Sequence, residues 1–223
     1  HHLFESFFVS LHLKNHQNFK GDMTNEYPID STTLRQRIET MPEDYILFRS
    51  DFPEYHTEFV GSILSELTTK GMLVKIAHGI YAKPRRSKFG VVLPSVDKVV
   101  QAIATRDNAK VLPSGMTALN ALGLSTQVPM NLSYITTGST RTIAIGERKI
   151  NFRHASPKNF ASKGTVIPLL IQGLREIGED NISNTDYDAI RRFIIKQQDP
   201  YIQEDLLLAP VWIQCIIKKI MQQ

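Results

Sequence analysis

A change of hydrophobic period at Gly71 constrains the fold more than any other feature of the chain. Before it, residues 55–70 carry one apolar stripe at helical spacing, which predicts a helix. The stripe consists of Phe59, Val60, Ile63, Leu64 and Leu67. After it, short apolar runs at 72–76 and 80–82 flank a tight turn at 77–79, which predicts a β-hairpin. Glycine suits the position that ends a helix, so this helix is expected to pass directly into the hairpin.

The residues upstream extend this pattern. Ser31 or Thr32 can cap a short helix in which Leu34 and Ile38 repeat at helical spacing. Residues 45–48 are a brief apolar run of the kind that forms a strand. A helix, a short helical segment, a longer helix and a hairpin, in that order, are typical of a winged helix-turn-helix. We therefore predict a winged helix-turn-helix over residues 31–88.

The rest of the chain is divided into an extension and a second domain. Residues 1–30 are predicted to be an N-terminal extension, flexible or non-native, with Met23 a candidate start. The basic stretch 83–88, which contains a proline, is predicted to be a linker, and residues 89–223 a second domain. Its predicted helices are 96–103, 114–122, 166–177 and 186–195, followed by one or two closing helices around Pro210 over 202–220. Its predicted strands are 110–112, 132–136, 142–145 and 149–152. The expected fold class is α+β, with the winged helix followed by a mixed α/β domain and a helical C-terminal tail.

The longer helix of the first unit is the candidate reader of DNA. In a helix-turn-helix the second helix lies in the major groove, so its solvent face presents polar groups to base edges. The candidates here are His56, Thr57, Ser62, Ser65 and Thr69. Their hydroxyls can donate to or accept from bases and phosphates. Glu58 and Glu66 lie on the same helix and would repel phosphate, unless they face away or accept from a cytosine amino group.

The position of the basic residues matters more than their number. The net charge of +4, from 26 basic and 22 acidic residues, is too small to indicate nucleic-acid binding by itself. From Lys70 to Gly90, however, there are six basic residues and no acidic one. The candidate phosphate contacts are Lys70, Lys75, His78, Lys83, Arg85, Arg86 and Lys88. Each neutralised phosphate would add salt-dependent affinity. The alternative is that these are solvated cations on a linker, and both interpretations stand at this point.

Polar residues also gather at the ends of the predicted elements of the second domain. The candidates for a partner surface are Ser114, Asn120, Ser125, Thr126, Gln127, Thr137, Arg141 and His154. They could bind a partner or nucleic acid, or they could be turn residues that satisfy their own backbone. Ser114 is predicted to be a helix N-cap and His154 a structural histidine.

The second domain lacks the pattern of a recognisable enzyme. Gly138-Ser139 after a strand is similar to the opening of nucleotidyltransferases, which also need two closely spaced carboxylates to hold magnesium. The first acidic residue after Ser139 is Glu147, in a predicted turn. We therefore predict no catalytic residue, no metal and no cofactor. The alternatives to a DNA-binding protein are a protein-interaction module and a nucleotidyltransferase remnant acting on nucleotides or RNA.

Cysteine content and hydropathy indicate the compartment. A single cysteine, Cys215, excludes an intramolecular disulfide and fits a reducing cytosol. It lies in the apolar helical run 211–220 and is predicted to be a packed thiol. No apolar run approaches the length of about 18–20 residues that a membrane helix requires. We expect a cytoplasmic protein.

Several stretches together resemble a known family. Residues 64–81, with the glycine-flanked hairpin and the closing Gly79-Ile80-Tyr81, resemble the winged helix of AbiEi-type antitoxins. The second domain adds Pro113-Ser114-Gly115, Ala118-Leu119-Asn120, Leu122-Gly123-Leu124-Ser125-Thr126-Gln127-Val128-Pro129, Thr136-Thr137-Gly138 and the stretch from Ile150 to Pro157. The run from Leu122 to Pro129 is the most specific of these. The resemblance covers residues 33–220.

The resemblance implies a bacterial antitoxin of a type IV toxin–antitoxin system. In that family the winged helix represses the promoter of its own operon by binding repeated sites. The second domain opposes a nucleotidyltransferase-like toxin without forming a stable complex with it. The implied partners are therefore promoter DNA and that toxin, and paired half-sites would suit a homodimer on DNA. The resemblance carries no catalytic residues.

Overall fold

The computed structural model describes residues 31–222 and confirms the predicted α+β fold class. The predicted extension at 1–30 lies outside the described residues. The described chain forms two compact units that divide between Ala102 and Ile103, inside a helix. We call residues 31–102 the N-terminal unit and residues 103–222 the C-terminal unit. The sequence placed the boundary earlier, after Lys88.

The N-terminal unit combines helices with a small antiparallel sheet. Its elements are α1 (Ser31–Glu39), β1 (Ile46–Phe48), a 3-10 turn (Arg49–Asp51), α2 (Thr57–Thr69), β2 (Val74–Ala77), β3 (Ile80–Ala82), β4 (Arg85–Ser87), β5 (Gly90–Val92) and the first part of α3 (Val96–Arg106). Strands β1, β3 and β2 pair in that order, and Tyr81 lies opposite both Leu47 and Lys75. The core of this unit contains Leu34, Ile38, Leu47, Phe52, Val60, Ile63, Leu64, Leu67, Leu73 and Tyr81.

Helix α2 ends as the sequence predicts. Gly71 has a φ of +70°, a left-handed conformation that costs glycine nothing. The backbone N–H groups of Met72 and Leu73 then donate to the carbonyl of Leu67 at 2.9 and 3.2 Å. These bonds satisfy the last turn of the helix and direct the chain into β2.

A second hairpin occupies residues 85–92, and the prediction of a linker at 83–88 is wrong. Strands β4 and β5 pair with Arg85 opposite Val92, Arg86 opposite Val91 and Ser87 opposite Gly90. All three residues of β4 are exposed, as are two of the three in β5. Because neither strand has a consistently buried side, there is no alternation of apolar and polar residues for the sequence to reveal.

The C-terminal unit places a four-stranded mixed sheet beside a helical layer. Its elements after α3 are β6 (Val111–Pro113), α4 (Gly115–Leu122), β7 (Asn131–Thr136), β8 (Arg141–Ile145), β9 (Arg148–His154), a 3-10 turn (Pro157–Phe160), α5 (Val166–Ile177), a 3-10 turn (Glu179–Asn181), α6 (Asn184–Gln197), α7 (Ile202–Leu206) and α8 (Val211–Gln222). The strand order is β6-β7-β9-β8. Strands β7 and β9 are parallel, and the other two pairs are antiparallel.

The core of this unit is formed largely by its helices, and α5 is buried along most of its length. Helix α5 contacts α4 closely at Gly173, where a Cβ atom would lie 2.3 Å from Leu122 Cδ1. Two carboxylates fasten the segment that leads into α5. Asp205 accepts from the backbone N–H groups of Lys163 and Gly164 at 2.9 and 2.7 Å, and is itself 2% exposed. Asp199 accepts from the next two N–H groups at 2.7 and 3.1 Å.

The predicted burial of Cys215 is wrong, since its side chain is exposed. The apolar stripe of α8 consists of Ile213, Ile216, Ile217 and Ile220, all buried. Residue 215 falls on the opposite side of the helix, because it does not share the three- and four-residue spacing of that stripe. Within residues 31–222, no helix is both long enough and apolar enough to cross a membrane.

Candidate nucleic-acid interface

Helix α2 presents one polar face to solvent. The residues Glu58, Ser62, Ser65 and Thr69 are exposed and follow each other at intervals of three or four, so they form a single stripe. The opposite side of the helix holds the buried Val60, Ile63, Leu64 and Leu67. Thr57 begins the helix, and His56 occupies the N-cap position without a side-chain capping bond; both are exposed.

Two hydroxyls on this stripe are available to a ligand. Among residues 31–222, the side chains of Ser62 and Ser65 have no hydrogen-bond partner within the protein. Thr69 differs, because its Oγ1 donates to the carbonyl of Ser65 at 3.1 Å and keeps only its accepting capacity. Ser62 and Ser65 can therefore both donate and accept at a base edge or a phosphate.

Glu66, expected from the sequence to repel phosphate, is paired within the protein. Its Oε2 lies 2.7 Å from Arg35 Nη2, and its Oε1 lies 2.8 Å from Lys70 Nζ. The hydrogen bond from Arg35 and then that from Lys70 lower the pKa of Glu66 to about 2. The carboxylate stays ionised, but two cations offset its charge beside the polar face. Glu58 remains as an exposed acidic residue on that face.

Three of the predicted phosphate contacts already have partners within the protein, and two of them, Lys70 and Lys83, lie outside the hairpin strands. Lys70 forms the ion pair with Glu66 just described. Lys83 Nζ donates to the carbonyl of Glu39 and, at 2.6 Å, to that of Met41. A cation at the C-terminal end of a helix also opposes the partial negative charge of the helix dipole. Lys83 therefore stabilises the end of α1, a role that its place in a basic run does not reveal.

The other predicted cations lie exposed on the two hairpins. Lys75 is in β2, His78 is in the β2–β3 turn, and Arg85, Arg86 and Lys88 are in or next to β4. Arg86 Nη2 donates to the carbonyl of Gly71 at 2.9 Å. This bond ties the β4–β5 hairpin to the C-terminal end of α2, so that the basic strands and the polar helix face belong to one region.

Arg49 is a cation that the sequence analysis missed. A Cβ atom on Gly61 would lie 3.0 Å from Arg49 Cζ and 3.2 Å from two of its nitrogens, so the guanidinium rests on the backbone of α2. Gly61 lies at the margin of the exposed stripe. A glycine inside a helix costs stability relative to alanine, and this was the sequence signal for a close approach.

The partner-surface candidates of the C-terminal unit do not form one surface. Asn120 Nδ2 donates to the carbonyls of Ser125 and Gln127 at 3.2 and 3.1 Å, and Ser125 Oγ accepts from the N–H of Gln127 at 3.2 Å. These bonds shape the loop after α4. A groove of about 680 Å³ runs between this loop and α6. Its polar and basic lining includes Asn120, Ser125, Thr126, Arg192, Lys196 and Gln197.

Three more candidates lie near the end of β7 and satisfy local groups. Thr137 Oγ1 accepts from the N–H of Lys110 at 2.9 Å. His154 Nδ1 is 2.9 Å from the carbonyl oxygen of Gly138; because a carbonyl can only accept, this ring nitrogen donates. Arg141 forms an ion pair with Asp107. Burial by itself would raise the pKa of Asp107, but the hydrogen bonds from Arg106 and Arg141 outweigh burial and lower that pKa.

Ser114 is buried at the start of α4, where its backbone N–H donates to the carbonyl of Ser133 at 2.9 Å. It occupies the predicted N-cap position, but its hydroxyl makes no capping hydrogen bond. The chain next to Ser114 pairs with β7 at Tyr134, whereas His154 pairs with Thr136 at the other end of the same strand. Within residues 31–222, no group of three or more His, Cys, Asp or Glu residues is placed to hold a metal ion.

Comparison with known proteins adds one match. The model of a family of unknown function, DUF6088, matches residues 33–202, which is more than half of the chain. No curated protein matches the sequence.

Proposed function

We propose that this chain, which belongs to the DUF6088 family, is a transcriptional regulator that binds double-stranded DNA through α2 and the two hairpins that follow it. The observation that carries this proposal is the exposed face of α2, where Ser62 and Ser65 have no partner within the described part of the protein. A hydroxyl pair of this kind on a helix can serve base edges in a major groove.

The arrangement of the N-terminal unit supports the proposal. Helix, strand, 3-10 turn, helix and hairpin follow each other, and β1 pairs with the outer side of the returning strand β3. We interpret residues 31–82 as a winged helix-turn-helix in which α2 is the recognition helix and β2–β3 the wing. In this interpretation the 3-10 turn that contains Arg49 takes the place of the helix before the recognition helix.

The charge distribution supports it as well. Between Glu66 and Asp97 the chain has six basic residues and no acidic one, and Glu66 itself is paired with Arg35 and Lys70. Exposed cations beside the polar face of a helix can neutralise phosphates next to the groove that the helix enters. Phosphate contacts of this kind would position the protein, and the helix would read the sequence.

The biological role that we propose is that of an antitoxin which represses its own promoter. Its support is the resemblance of residues 33–220 to AbiEi-type antitoxins. The functional counterpart would be a nucleotidyltransferase-like toxin, and the site of action the cytoplasm, where a single cysteine stays reduced. In this role the protein needs neither a cofactor nor a catalytic residue, and it would act as a homodimer on paired half-sites.

The test is binding of the full chain to the DNA upstream of its own gene, measured at several salt concentrations. A variant with Lys75, Arg85 and Lys88 changed to alanine should flatten the slope of log affinity against log salt by up to about 3, since each phosphate contact contributes about 0.9. Lys83 and Arg86 are left intact because they hold the fold together. The matched control changes Lys149, Arg191 and Lys218, three exposed cations of the C-terminal unit, and should keep the slope.

A second variant separates sequence reading from charge. Ser62→Ala with Ser65→Ala should weaken binding to the upstream DNA about tenfold and leave binding to unrelated DNA unchanged, because hydroxyl contacts to bases carry sequence information. If the folded wild-type protein binds neither DNA at low salt, the proposal is wrong and the alternative of a protein-interaction module is favoured.

A further inference from the structure

The tip of the β4–β5 hairpin carries a large aromatic side chain in water. Phe89 is 89% exposed, the highest value among the exposed large hydrophobic residues of the described chain. Val91, on the returning strand, is 56% exposed. Exposed apolar side chains that lie close together, unlike single ones scattered over a surface, are typical of contact sites.

The tip is held in one conformation. Strands β4 and β5 are joined by the two residues Lys88 and Phe89. Ser87 Oγ accepts from the N–H of Phe89 at 3.2 Å and donates to the carbonyl of Gly90 at 3.1 Å. Gly90 has a φ of +118°, which a residue with a side chain rarely adopts. The phenyl ring is therefore presented by a defined turn.

The surroundings of the ring are cationic. Lys88 Nζ lies 5.0 Å from the centre of the Phe89 ring, and Arg85 and Arg86 follow on the adjoining strand. No acidic residue occurs in the sequence between Glu66 and Asp97. An apolar ring with one ammonium over it, on a hairpin that also carries Arg85 and Arg86, is complementary to a ligand that combines negative charge with flat apolar surfaces, and nucleic acid has both.

The position of the hairpin beside α2 favours duplex DNA as the ligand. The bond from Arg86 to the carbonyl of Gly71 fixes the hairpin at the C-terminal end of α2. If α2 lies in a major groove, an element fixed at its C-terminal end lies close to the phosphate backbone that separates this groove from the neighbouring minor groove. Phenylalanine is one of the side chains that proteins insert between base pairs from the minor groove, where they unstack a step and bend the duplex.

We propose that the β4–β5 hairpin is a minor-groove element whose Phe89 inserts between base pairs beside the site read by α2, while Arg85 and Lys88 contact the flanking phosphates. This inference rests on the proposed DNA binding and adds a prediction to it, namely that the protein bends its DNA. Sequence preference would then extend to flexible pyrimidine–purine steps in the flank.

The experiment uses the full chain and a duplex that spans the wild-type footprint on its upstream DNA. A donor and an acceptor dye at the two ends report bending, and 2-aminopurine in the flank reports unstacking. Phe89→Ala should abolish both signals and weaken binding roughly tenfold, while the salt slope stays unchanged. Phe89→Leu, which keeps an apolar wedge, should restore most of the bend. Lys75→Ala should reduce the salt slope and keep the bend.

The outcomes separate this inference from the function on which it rests. If the wild-type protein binds the DNA and Phe89→Ala bends and binds it equally well, the insertion is wrong and the DNA-binding function stands. If the wild-type protein binds no DNA, both are wrong. A parallel sedimentation assay with vesicles that contain phosphatidylglycerol tests the alternative ligand, an anionic membrane, which also suits an aromatic ring beside cations. Vesicle binding that depends on Phe89, without any effect on DNA, would also overturn the inference.

Discussion

The polar residues that the sequence singles out as candidates behave differently in the two units of the molecule. In the N-terminal unit, Ser62 and Ser65 face solvent on α2 with no partner among the described residues, and most of the following cations are exposed. In the C-terminal unit, Asn120, Thr137 and Asp205 each accept from or donate to the nearby backbone. The difference teaches that a polar residue indicates a binding site only when its hydrogen-bonding capacity remains unused within the fold.

This contrast favours the N-terminal unit as the place of the proposed DNA binding, and it gives Asn120, Thr137 and Asp205 of the C-terminal unit a structural role. It also predicts different phenotypes. Substitutions of polar residues in the C-terminal unit should change the free energy of unfolding, and substitutions of exposed ones in the N-terminal unit should change DNA binding. The following predictions test this difference.

The largest expected effect is at Asp205. Asp205→Ala should lower the free energy of unfolding by about 3 kcal/mol, because it leaves the N–H groups of Lys163 and Gly164 without their acceptor in a part-buried site. Urea unfolding measures the change. The control Asp188→Ala removes an exposed carboxylate from α6 and should cost far less. A small change in the free energy of unfolding for Asp205→Ala, or an equal change for both variants, would show that these bonds do not stabilise the segment that leads into α5.

The next effect is at the contact of α4 with α5. Gly173→Ala should lower the free energy of unfolding by about 1–3 kcal/mol, because the new Cβ would lie 2.3 Å from Leu122 Cδ1. A double-mutant cycle with Leu122→Ala provides the control, since removal of the leucine methyl groups should relieve the clash. Additive effects in that cycle would contradict a direct contact at this distance.

Lys83 and Lys88 belong to the same basic stretch, but we expect the first to stabilise the fold and the second to contact DNA. Lys83→Ala should lower the free energy of unfolding by about 1 kcal/mol and keep the salt slope of DNA binding, because its ammonium caps the end of α1. Lys88→Ala should have the reverse result, with unchanged stability and a salt slope lower by about 0.9. Identical behaviour of the two variants would contradict the division of roles drawn here.

The smallest expected effect is the pH dependence at Glu66. The pKa of this residue is lowered from 4.5 to about 2, first by the hydrogen bond from Arg35. A lowered pKa stabilises the fold above the unfolded value, and that stabilisation is lost as the pH falls from about 4.5 towards 2. Unfolding of the wild type and of Glu66→Gln should therefore differ at neutral pH and converge at low pH. A carboxyl carbon that titrates near 4.5 in NMR spectra would contradict the pairing.

Much of the fold could be predicted from the sequence because its signals are local. The apolar stripe at 59–67 sets the helix, and Gly71 ends it, as predicted. The hairpin at Gly146 and the bounds of α5, Val166–Ile177, also agree with the prediction. In each case the periodicity of a few adjacent residues, or the conformational freedom of one glycine, is enough to specify the element.

The candidate site could be predicted only in part. The exposed residues of α2 follow from helical spacing, but the pairing of Glu66 with Arg35 joins residues 31 positions apart and leaves no local trace. The contact of Arg49 with Gly61 is likewise tertiary. The sequence left open whether the polar candidates of the C-terminal unit form a binding surface, and only the structure shows that Ser114 and His154 lie towards different ends of β7. Residue type indicates which bonds are available, and only the packing decides which are made.

By itself, the sequence determined which segments are helices, where α2 ends, and that the cations after Glu66 are uninterrupted by acidic residues. The tertiary structure alone decided that residues 85–92 form a second hairpin, that Lys83 caps α1 while Lys88 stays exposed, and that Phe89 projects into water. The physical reason is range. Backbone propensity and periodicity act over a few residues, whereas the use of a charge or an aromatic ring depends on groups that the fold brings beside it.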